Sequence, residues 1–174
     1  KLAEAAALKR NQRYSVSQGV FNLRQHVANF YDRHWNVKLD AATEIIATLG
    51  SKEGFSHLCL ATLGPGDTVL TPTPSFPIHI YAPVIAGANV IGVSMRDGEE
   101  ALLRRIDDMC RTVSPKPKIV ILNYPHNPTT ATVELPFFEE AVKLAKKHGF
   151  YIIQDFAYGL TNFDDYKAPS LLQA

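Results

Sequence analysis

Short apolar runs typical of β-strands alternate with helical patterns along most of this chain. Parallel neighbours in a sheet are joined by long crossovers that usually contain a helix, so this alternation predicts an α/β fold. We expect a three-layer α/β/α sandwich with a mostly parallel sheet that is covered on both faces. The predicted strands span residues 43–49, 68–71, 89–94, 118–123 and 151–155.

The first part of the chain is dominated by a helical pattern instead. Apolar side chains recur between Val20 and Trp35 at the spacing that places them on one face of a helix. We therefore expect a helical entry segment over residues 1–41 and a sheet-containing domain over residues 42–174.

The charge balance argues against partners that attract a protein over long distances. Lys and Arg number 18 and Asp and Glu 17, which gives a net charge of +1, so we expect neither a nucleic-acid nor a membrane partner. Cys59 and Cys110 are far apart and form no Cys/His cluster, which predicts reduced thiols, no metal site and a cytoplasmic location. The sequence shows no signal peptide. It begins at Lys1 rather than at Met, so we expect a fragment of a longer protein.

Three polar side chains follow two neighbouring strand-like runs near the end of the chain. Asn127 comes after one run, Asp155 ends the next, and Tyr158 lies just beyond it. The amphipathic pattern at 134–148 predicts a connecting helix, and a right-handed crossover makes the two strands parallel. Alone, Asn127 is typical of a turn and Asp155 of a helix cap. Together they predict a ligand site at the carboxyl edge of the sheet, where open α/β sheets bind ligands.

Residues 50–54, with the sequence Gly-Ser-Lys-Glu-Gly, lie between a predicted strand and a predicted helix. The unpaired N–H groups of a helix's first turn suit a phosphate, and flanking glycines let an anion approach closely. Ser51 and Lys52 are therefore candidate anion ligands. The alternative is an ordinary helix start with Ser51 as its N-cap.

An aromatic side chain, Phe76, follows the strand predicted at 68–71. It could stack on a planar ligand or belong to the core, since buried Phe is common in both settings. His79 and Tyr81 follow on the next turn, and the sequence does not decide between a site and a core position for either.

Five segments of the chain together resemble the pyridoxal-phosphate-dependent aminotransferases of fold type I, classes I and II. In chain order they resemble the entry to the large domain, the phosphate turn, the ring-stacking loop, the asparagine motif and the pyridine-nitrogen motif. The segments are residues 13–19 with Leu23-Arg24, 50–54, 74–77, 127–129 and 155–158. The likeness is strongest to the alanine, LL-diaminopimelate and aspartate aminotransferase branch. It implies the amino-terminal part of a pyridoxal-phosphate-binding large domain.

The resemblance assigns four residues to the cofactor ring. Asp155 would pair with the protonated pyridine nitrogen, which keeps the ring an electron sink. Asn127 and Tyr158 would donate hydrogen bonds to the 3-oxygen of the ring, and Phe76 would stack on the ring face. Asp155 and Tyr158 are the residues of this chain that the resemblance identifies as catalytic.

The resemblance also assigns three residues to the cofactor phosphate. Ser51 and Lys52 would bind it within one subunit. Tyr14 would reach across a two-fold interface to the phosphate of the partner subunit, so the implied parent protein is a homodimer.

Two departures from the family pattern stand out. Thr130 occupies the position after Asn-Pro-Thr where the family usually has Gly. The lysine that forms the family's Schiff base lies in a Ser-Lys context beyond the pyridine-nitrogen motif, whereas the only lysine after Asp155 is Lys167, in Tyr-Lys-Ala-Pro. We expect that the catalytic lysine is absent from these 174 residues and that they are inactive alone.

The resemblance implies that the parent protein moves an amino group between an amino acid and a 2-oxo acid through pyridoxal phosphate. Other reactions on the same fold stay open, namely a C–S lyase or an aminocyclopropane-carboxylate synthase, because residues outside this chain largely set the reaction type. A non-catalytic ligand-sensing domain, as in aminotransferase-like transcription regulators, is a further alternative. A nucleotide-binding domain would need a Gly-rich loop that the sequence lacks.

Overall fold

The computed structural model describes residues 1–14 and 16–174. Ser15, which belongs to the predicted entry motif, lies outside the described residues. The chain forms two compact units, Lys1–Thr48 and Leu49–Ala174. The assignment of residues 1–41 to an entry segment and 42–174 to a cofactor domain stays a prediction.

The first unit is helical. It contains helices α1 (Leu2–Ala7) and α2 (Phe21–Trp35), with a short 3-10 helix at Lys9–Asn11. The side chain of Arg24 on α2 is buried and donates hydrogen bonds to the carbonyls of Gly19, Ala41 and Ala42. Gly19 precedes α2 in the sequence, whereas Ala41 and Ala42 follow it. One guanidinium therefore holds the segments before and after α2 together.

The second unit alternates helices and strands. In chain order it contains α3 (Ser51–Thr62), β1 (Thr68–Thr73), α4 (Pro77–Ile85), β2 (Asn89–Ser94), α5 (Glu99–Thr112), β3 (Pro117–Asn123), α6 (Leu135–His148) and β4 (Tyr151–Asp155), followed by a 3-10 turn at Leu171–Gln173. Among the described residues, no helix combines the length and apolarity needed to span a bilayer.

The four strands form one sheet in the order β2-β1-β3-β4, and every neighbouring pair is parallel. This confirms the predicted α/β class and four of the five predicted strands. The predicted strand at 43–49 is wrong.

A turn takes up the residues that would begin that strand. The carboxylate of Asp40 accepts hydrogen bonds from the backbone N–H of Ala42 and the hydroxyl of Thr43, and its carbonyl accepts from the N–H of Glu44. Further along, Ile46 is 66% exposed. A β-branched composition favours a strand only where neighbouring strands cover it, and here the local hydrogen bonds of Asp40 outcompete it.

Side chains alternate along the central strands and build a separate core on each face of the sheet. On one face, strand residues pack against α3 and α4; on the other, they pack against α5 and α6. The first core contains Phe55, Cys59, Val69, Ala82, Ile119 and Ile121. The second contains Leu70, Leu102, Ile106, Val120, Leu122, Phe137 and Phe138. The predicted three-layer sandwich is therefore confirmed.

The sheet opens between β1 and β3 at its carboxyl edge. β1 pairs with β2 as far as Thr73, but it pairs with β3 only as far as Leu70. The chain also runs from β1 to β2 on one side and then returns to place β3 on the other. Such a reversal leaves a crevice beyond the carboxyl ends of the strands, and open α/β sheets bind ligands there.

An ion cluster joins the helices of the second face. Asp107 on α5 accepts hydrogen bonds from Lys147 and His148 at the end of α6, at 2.8 Å and 2.6 Å, and also pairs with Arg111. The hydrogen bond from Lys147, followed by that from His148, lowers the pKa of Asp107 to about 2.

Removing the Asp107 carboxylate should destabilise the protein in a pH-dependent way. The pKa of Asp107 is about 2 in the folded protein, against an ordinary value of 3.8. Ionisation of this carboxyl group therefore stabilises the folded state. The stabilisation is complete above the ordinary pKa and is lost as pH falls toward 2. At pH 7 we expect Asp107→Asn to lower Tm by about 2–4 °C, the shift that ~1 kcal/mol causes in a domain of this size.

Thermal melts of the wild type, Asp107→Asn and the exposed control Asp108→Asn, followed by circular dichroism, test this. The Tm difference should shrink between pH 4 and pH 2. A constant difference over that range would contradict the assignment.

Candidate active site

The predicted polar residues collect at the open carboxyl edge of the sheet. Asn127 lies in the loop after β3, and Asp155 is the last residue of β4. In the parallel register Asp155 is the partner of Asn123, the last residue of β3. Phe76 directly precedes α4, in the loop after β1. The loops after β1, β3 and β4 thus supply the site.

A relay of hydrogen bonds connects Asp155 to the strand on the other side of the crevice. His79 Nε2 lies 2.9 Å from Asp155 Oδ2, and the histidine is 1% exposed. Its other ring nitrogen, Nδ1, lies 3.4 Å from Ser75 Oγ, which is 3.0 Å from Thr71 Oγ1. Because an ionised carboxylate only accepts, Nε2–H donates to Asp155, and in the neutral ring Nδ1 would then accept from the serine.

The sequence did not decide whether His79 lies in the core or at the site. In the structure it is buried and also contacts Asp155. Tyr81, two residues further along α4, is 61% exposed.

The carboxamide of Asn123 connects the loop of Asn127 to the end of β4. Its Oδ1 accepts a hydrogen bond from the backbone N–H of Asn127 at 2.8 Å, and its Nδ2 donates to the carbonyl of Asp155 at 2.9 Å. Asn127 Nδ2 in turn lies 3.3 Å from the hydroxyl of Tyr158. The side chains of Asn127 and Tyr158 are thus bonded directly, and the side chain of Asn123 connects the backbone of Asn127 to the backbone of Asp155.

His126 fastens the asparagine loop to the loop after β1. Its ring is buried, and its Nδ1 lies 2.8 Å from Thr129 Oγ1. The ring also forms a hydrogen bond to the backbone of Pro74. Since proline has no backbone N–H, the acceptor of that bond is the Pro74 carbonyl. Burial lowers the pKa of His126, and the neighbouring His79 lowers it further. The hydrogen bond to Pro74 acts in the opposite direction but does not cancel these two effects. The neutral ring can donate to Pro74 and accept at Thr129, so it satisfies both loops.

Phe76 and Lys52 lie together at the mouth of the crevice. The ammonium of Lys52 is 5.1 Å from the centre of the Phe76 ring, within cation–π range. The same ring packs edge-on against His79 at 5.8 Å. Contacts therefore run without a break from Lys52 through Phe76 and His79 to Asp155.

Ser51 is the first residue of α3, and it follows the turn rather than a strand. The residue at the N-cap position is Gly50, whose φ of +91° favours glycine, and no side chain caps the helix. The alternative in which Ser51 is an ordinary N-cap is therefore wrong. Ser51 and its neighbour Lys52 are both exposed at the helix start.

Tyr14 belongs to the first unit, where its side chain is fully exposed.

A cavity of about 510 Å³ adjoins Asn127 and Tyr158. Its other walls come mainly from hydroxyl-bearing and aromatic side chains after β3 and β4, including Thr130, Thr132, Phe163 and Tyr166. The assembly therefore has an open space next to its amide and phenol groups.

Asn123 and His126 were not singled out from the sequence, although both organise this site. A polar residue that ends a run of buried apolar residues, as Asn123 ends Ile-Val-Ile-Leu, is a signal that could have identified the first. His126 gives no comparable signal, because its partners Pro74 and Thr129 come from two different loops.

Comparison with known proteins identifies the family of the chain. The family model for aminotransferase class I and II matches residues 1–173. The chain is 44% identical over 173 residues to the glutamate-pyruvate aminotransferase AlaC of Escherichia coli K12, which covers 99% of this chain and 42% of that protein. It is 35% identical over 174 residues to the LL-diaminopimelate aminotransferase of Moorella thermoacetica, which covers 100% of this chain and 44% of that protein. The chain thus spans less than half the length of these relatives.

A solved structure shows the same fold. The aromatic aminotransferase of Pyrococcus horikoshii OT3 superposes with a TM-score of 0.86 at 28% identity, over 99% of this chain and 45% of that one. With a family match along nearly all of its length and the same fold, the chain belongs to the class I and II aminotransferase family.

Proposed function

We propose that the complete protein is a pyridoxal-phosphate-dependent aminotransferase that moves an amino group between an amino acid and a 2-oxo acid. One observation carries the proposal. At the carboxyl edge of the sheet, the ends of β3 and β4 lie side by side, and they bring the carboxylate of Asp155 next to the loop in which the amide of Asn127 donates a hydrogen bond to the phenol of Tyr158.

The donor set fits pyridoxal phosphate. A carboxylate suits the protonated ring nitrogen, an amide and a phenol suit the 3-oxygen, an aromatic ring suits the ring face, and a cation at a helix start suits the phosphate. The chain supplies these as Asp155, Asn127 with Tyr158, Phe76, and Lys52 with Ser51. When bound, the cofactor supplies the electron sink that allows an amino acid to lose its α-proton.

The role proposed for Asp155 follows from its contacts. Its Oδ2 accepts from His79, so we assign Oδ1 to the ring nitrogen. The hydrogen bond from the buried His79 fixes the orientation of the carboxylate. His79 is in turn oriented by Ser75, which makes it a positioning residue for Asp155.

We further propose a homodimer and a cytoplasmic location. The fully exposed phenol of Tyr14 is available to a partner subunit's phosphate, in keeping with the family resemblance. Two free, buried cysteines suit a reducing compartment. Glutamate and pyruvate are the first substrate pair to test, because the name of the Escherichia coli relative contains both.

Asp155→Ala in the complete protein should reduce turnover by about 10²–10³-fold, the usual loss when a group that stabilises developing charge is removed. Circular dichroism and cofactor uptake should stay close to wild type. The control is Asp165→Ala, which removes an exposed carboxylate. Transamination by the Asp155 variant at the wild-type rate would refute its role.

Asn127→Ala and Tyr158→Phe should each raise the pH at which the bound cofactor changes colour. Both side chains would donate hydrogen bonds to the ring oxygen, and donors favour the anionic form, so their loss makes that form harder to reach. Absorbance titrations measure the midpoint. Tyr166→Phe is the matched control, because it also loses a tyrosine hydrogen bond, to the carbonyl of Val133. An unchanged midpoint in both test variants would contradict the assignment.

The 174 residues alone should show no transamination, because we propose that the lysine that binds the cofactor covalently lies outside them. The test mixes the purified chain with pyridoxal phosphate, glutamate and pyruvate and measures alanine. Turnover above the background of free cofactor would show that a lysine within the chain serves this role. Lys167→Ala and Lys52→Ala would then identify it.

A further inference from the structure

Asn123 makes contacts that the cofactor assignments do not use. It is the last residue of β3, its side chain is 2% exposed, and both ends of its carboxamide are engaged. The oxygen accepts from the backbone N–H of Asn127, and the nitrogen donates to the backbone carbonyls of Asp155 and, at 3.4 Å, Pro125.

We propose that Asn123 is a positioning residue that fixes the spacing between the Asn127 loop and Asp155. The inference rests on the proposed function, because it matters only if those two side chains bind one ligand.

The geometry explains why a side chain is needed at this point. The β3–β4 ladder ends at the pair Asn123 and Asp155. Past a ladder's end, strands no longer hold each other through regular backbone bonds, and the following loops are free to separate. Here the side-chain carboxamide of Asn123 connects the two segments beyond the end of the ladder, because it bonds both the carbonyl of Asp155 and the N–H of Asn127.

The energetics favour a rigid link. A buried carboxamide with partners at both ends holds its neighbours firmly, because breaking either bond leaves a buried polar group unsatisfied. An alanine at position 123 would leave the N–H of Asn127 and the carbonyl of Asp155 without this partner. The Asn127 amide and the Asp155 carboxylate could then shift independently, and a displacement of about 1 Å can cost 10²-fold in rate.

The test is Asn123→Ala in the complete protein loaded with pyridoxal phosphate. We expect the midpoint of the cofactor's absorbance titration to rise, as in Asn127→Ala, and kcat to fall by up to about 100-fold. The double variant Asn123→Ala/Asn127→Ala should show a midpoint rise smaller than the sum of the two single changes, because Asn123 acts through Asn127. Additive shifts would overturn the proposal.

Gln154→Ala is the matched control. This neighbouring amide on β4 also bridges backbone groups, donating to the carbonyls of Tyr124 and Pro169 and accepting from the N–H of Leu171, but its partners do not include Asn127 or Asp155. It should lower Tm and leave the midpoint at the wild-type value. If Asn123→Ala likewise lowers Tm without moving the midpoint, its role is structural only and the proposal fails.

A second variant at position 123 and two parallel titrations separate failure of this inference from failure of the proposed function. Asn123→Ser retains a polar atom in a smaller side chain, and it replaces the alanine variant if circular dichroism shows that the latter does not fold; the same midpoint rise is expected. Wild type and Asn127→Ala are titrated in parallel. A wild type without a pH-dependent cofactor band would reject the proposed function, whereas a shift in Asn127→Ala but in neither Asn123 variant would reject this inference alone.

Discussion

The parallel pairing of β3 with β4 fixes the distance between the groups that would carry the chemistry. Its register places Asn123 opposite Asp155, so the loop that carries Asn127 and the strand end that carries Asp155 leave the sheet side by side. On the other side, β3 loses contact with β1 after Leu70, which opens the space that the site surrounds. A one-residue slip of β4 would turn the Asp155 side chain to the opposite face of the sheet. The two apolar cores oppose that slip, because Ile152 packs against one and Ile153 against the other, and the slip would exchange their faces.

Polar groups inside the crevice are compatible with a stable core because each has a partner. Among the described residues, no buried side-chain nitrogen or oxygen lacks a hydrogen bond. The relay from Thr71 through Ser75 and His79 ends on Asp155, and the carboxamide of Asn123 joins the same residue from the other side. Such an assembly gains little net stability over an apolar core, since water would satisfy the same groups in the unfolded chain. What it provides is a single arrangement of the carboxylate.

The sequence predicted those parts of the molecule that depend on local pattern. The strand at 89–94 and the helices expected at residues 20–35 and 134–148 follow from apolar periodicity, and the structure has them within a residue or so of the expected bounds. The strand expected at 43–49 failed because β-branched composition was weighed without the turn-forming hydrogen bonds of Asp40 just before it. At the site, residue type and strand order brought Asn127, Asp155 and Tyr158 together. They could not identify His79 as the partner of Asp155, because that bond spans 76 positions of the chain.

The loop of Asn127 shows how the fold tolerates an unusual residue. Thr130 has a φ of +59°, a left-handed conformation that suits the glycine found there in the resembled motif. For a residue with a β-carbon this conformation costs about 1–2 kcal/mol. Bonds on either side offset the cost: the N–H of Thr130 donates to the carbonyl of His126, and the N–H of His126 donates to the carbonyl of Ala131. His126 is itself anchored to Pro74 and Thr129. The turn with this strained residue is thus closed by the same histidine that connects two of the loops around the crevice, and strain of this kind persists where the surrounding structure holds it in place.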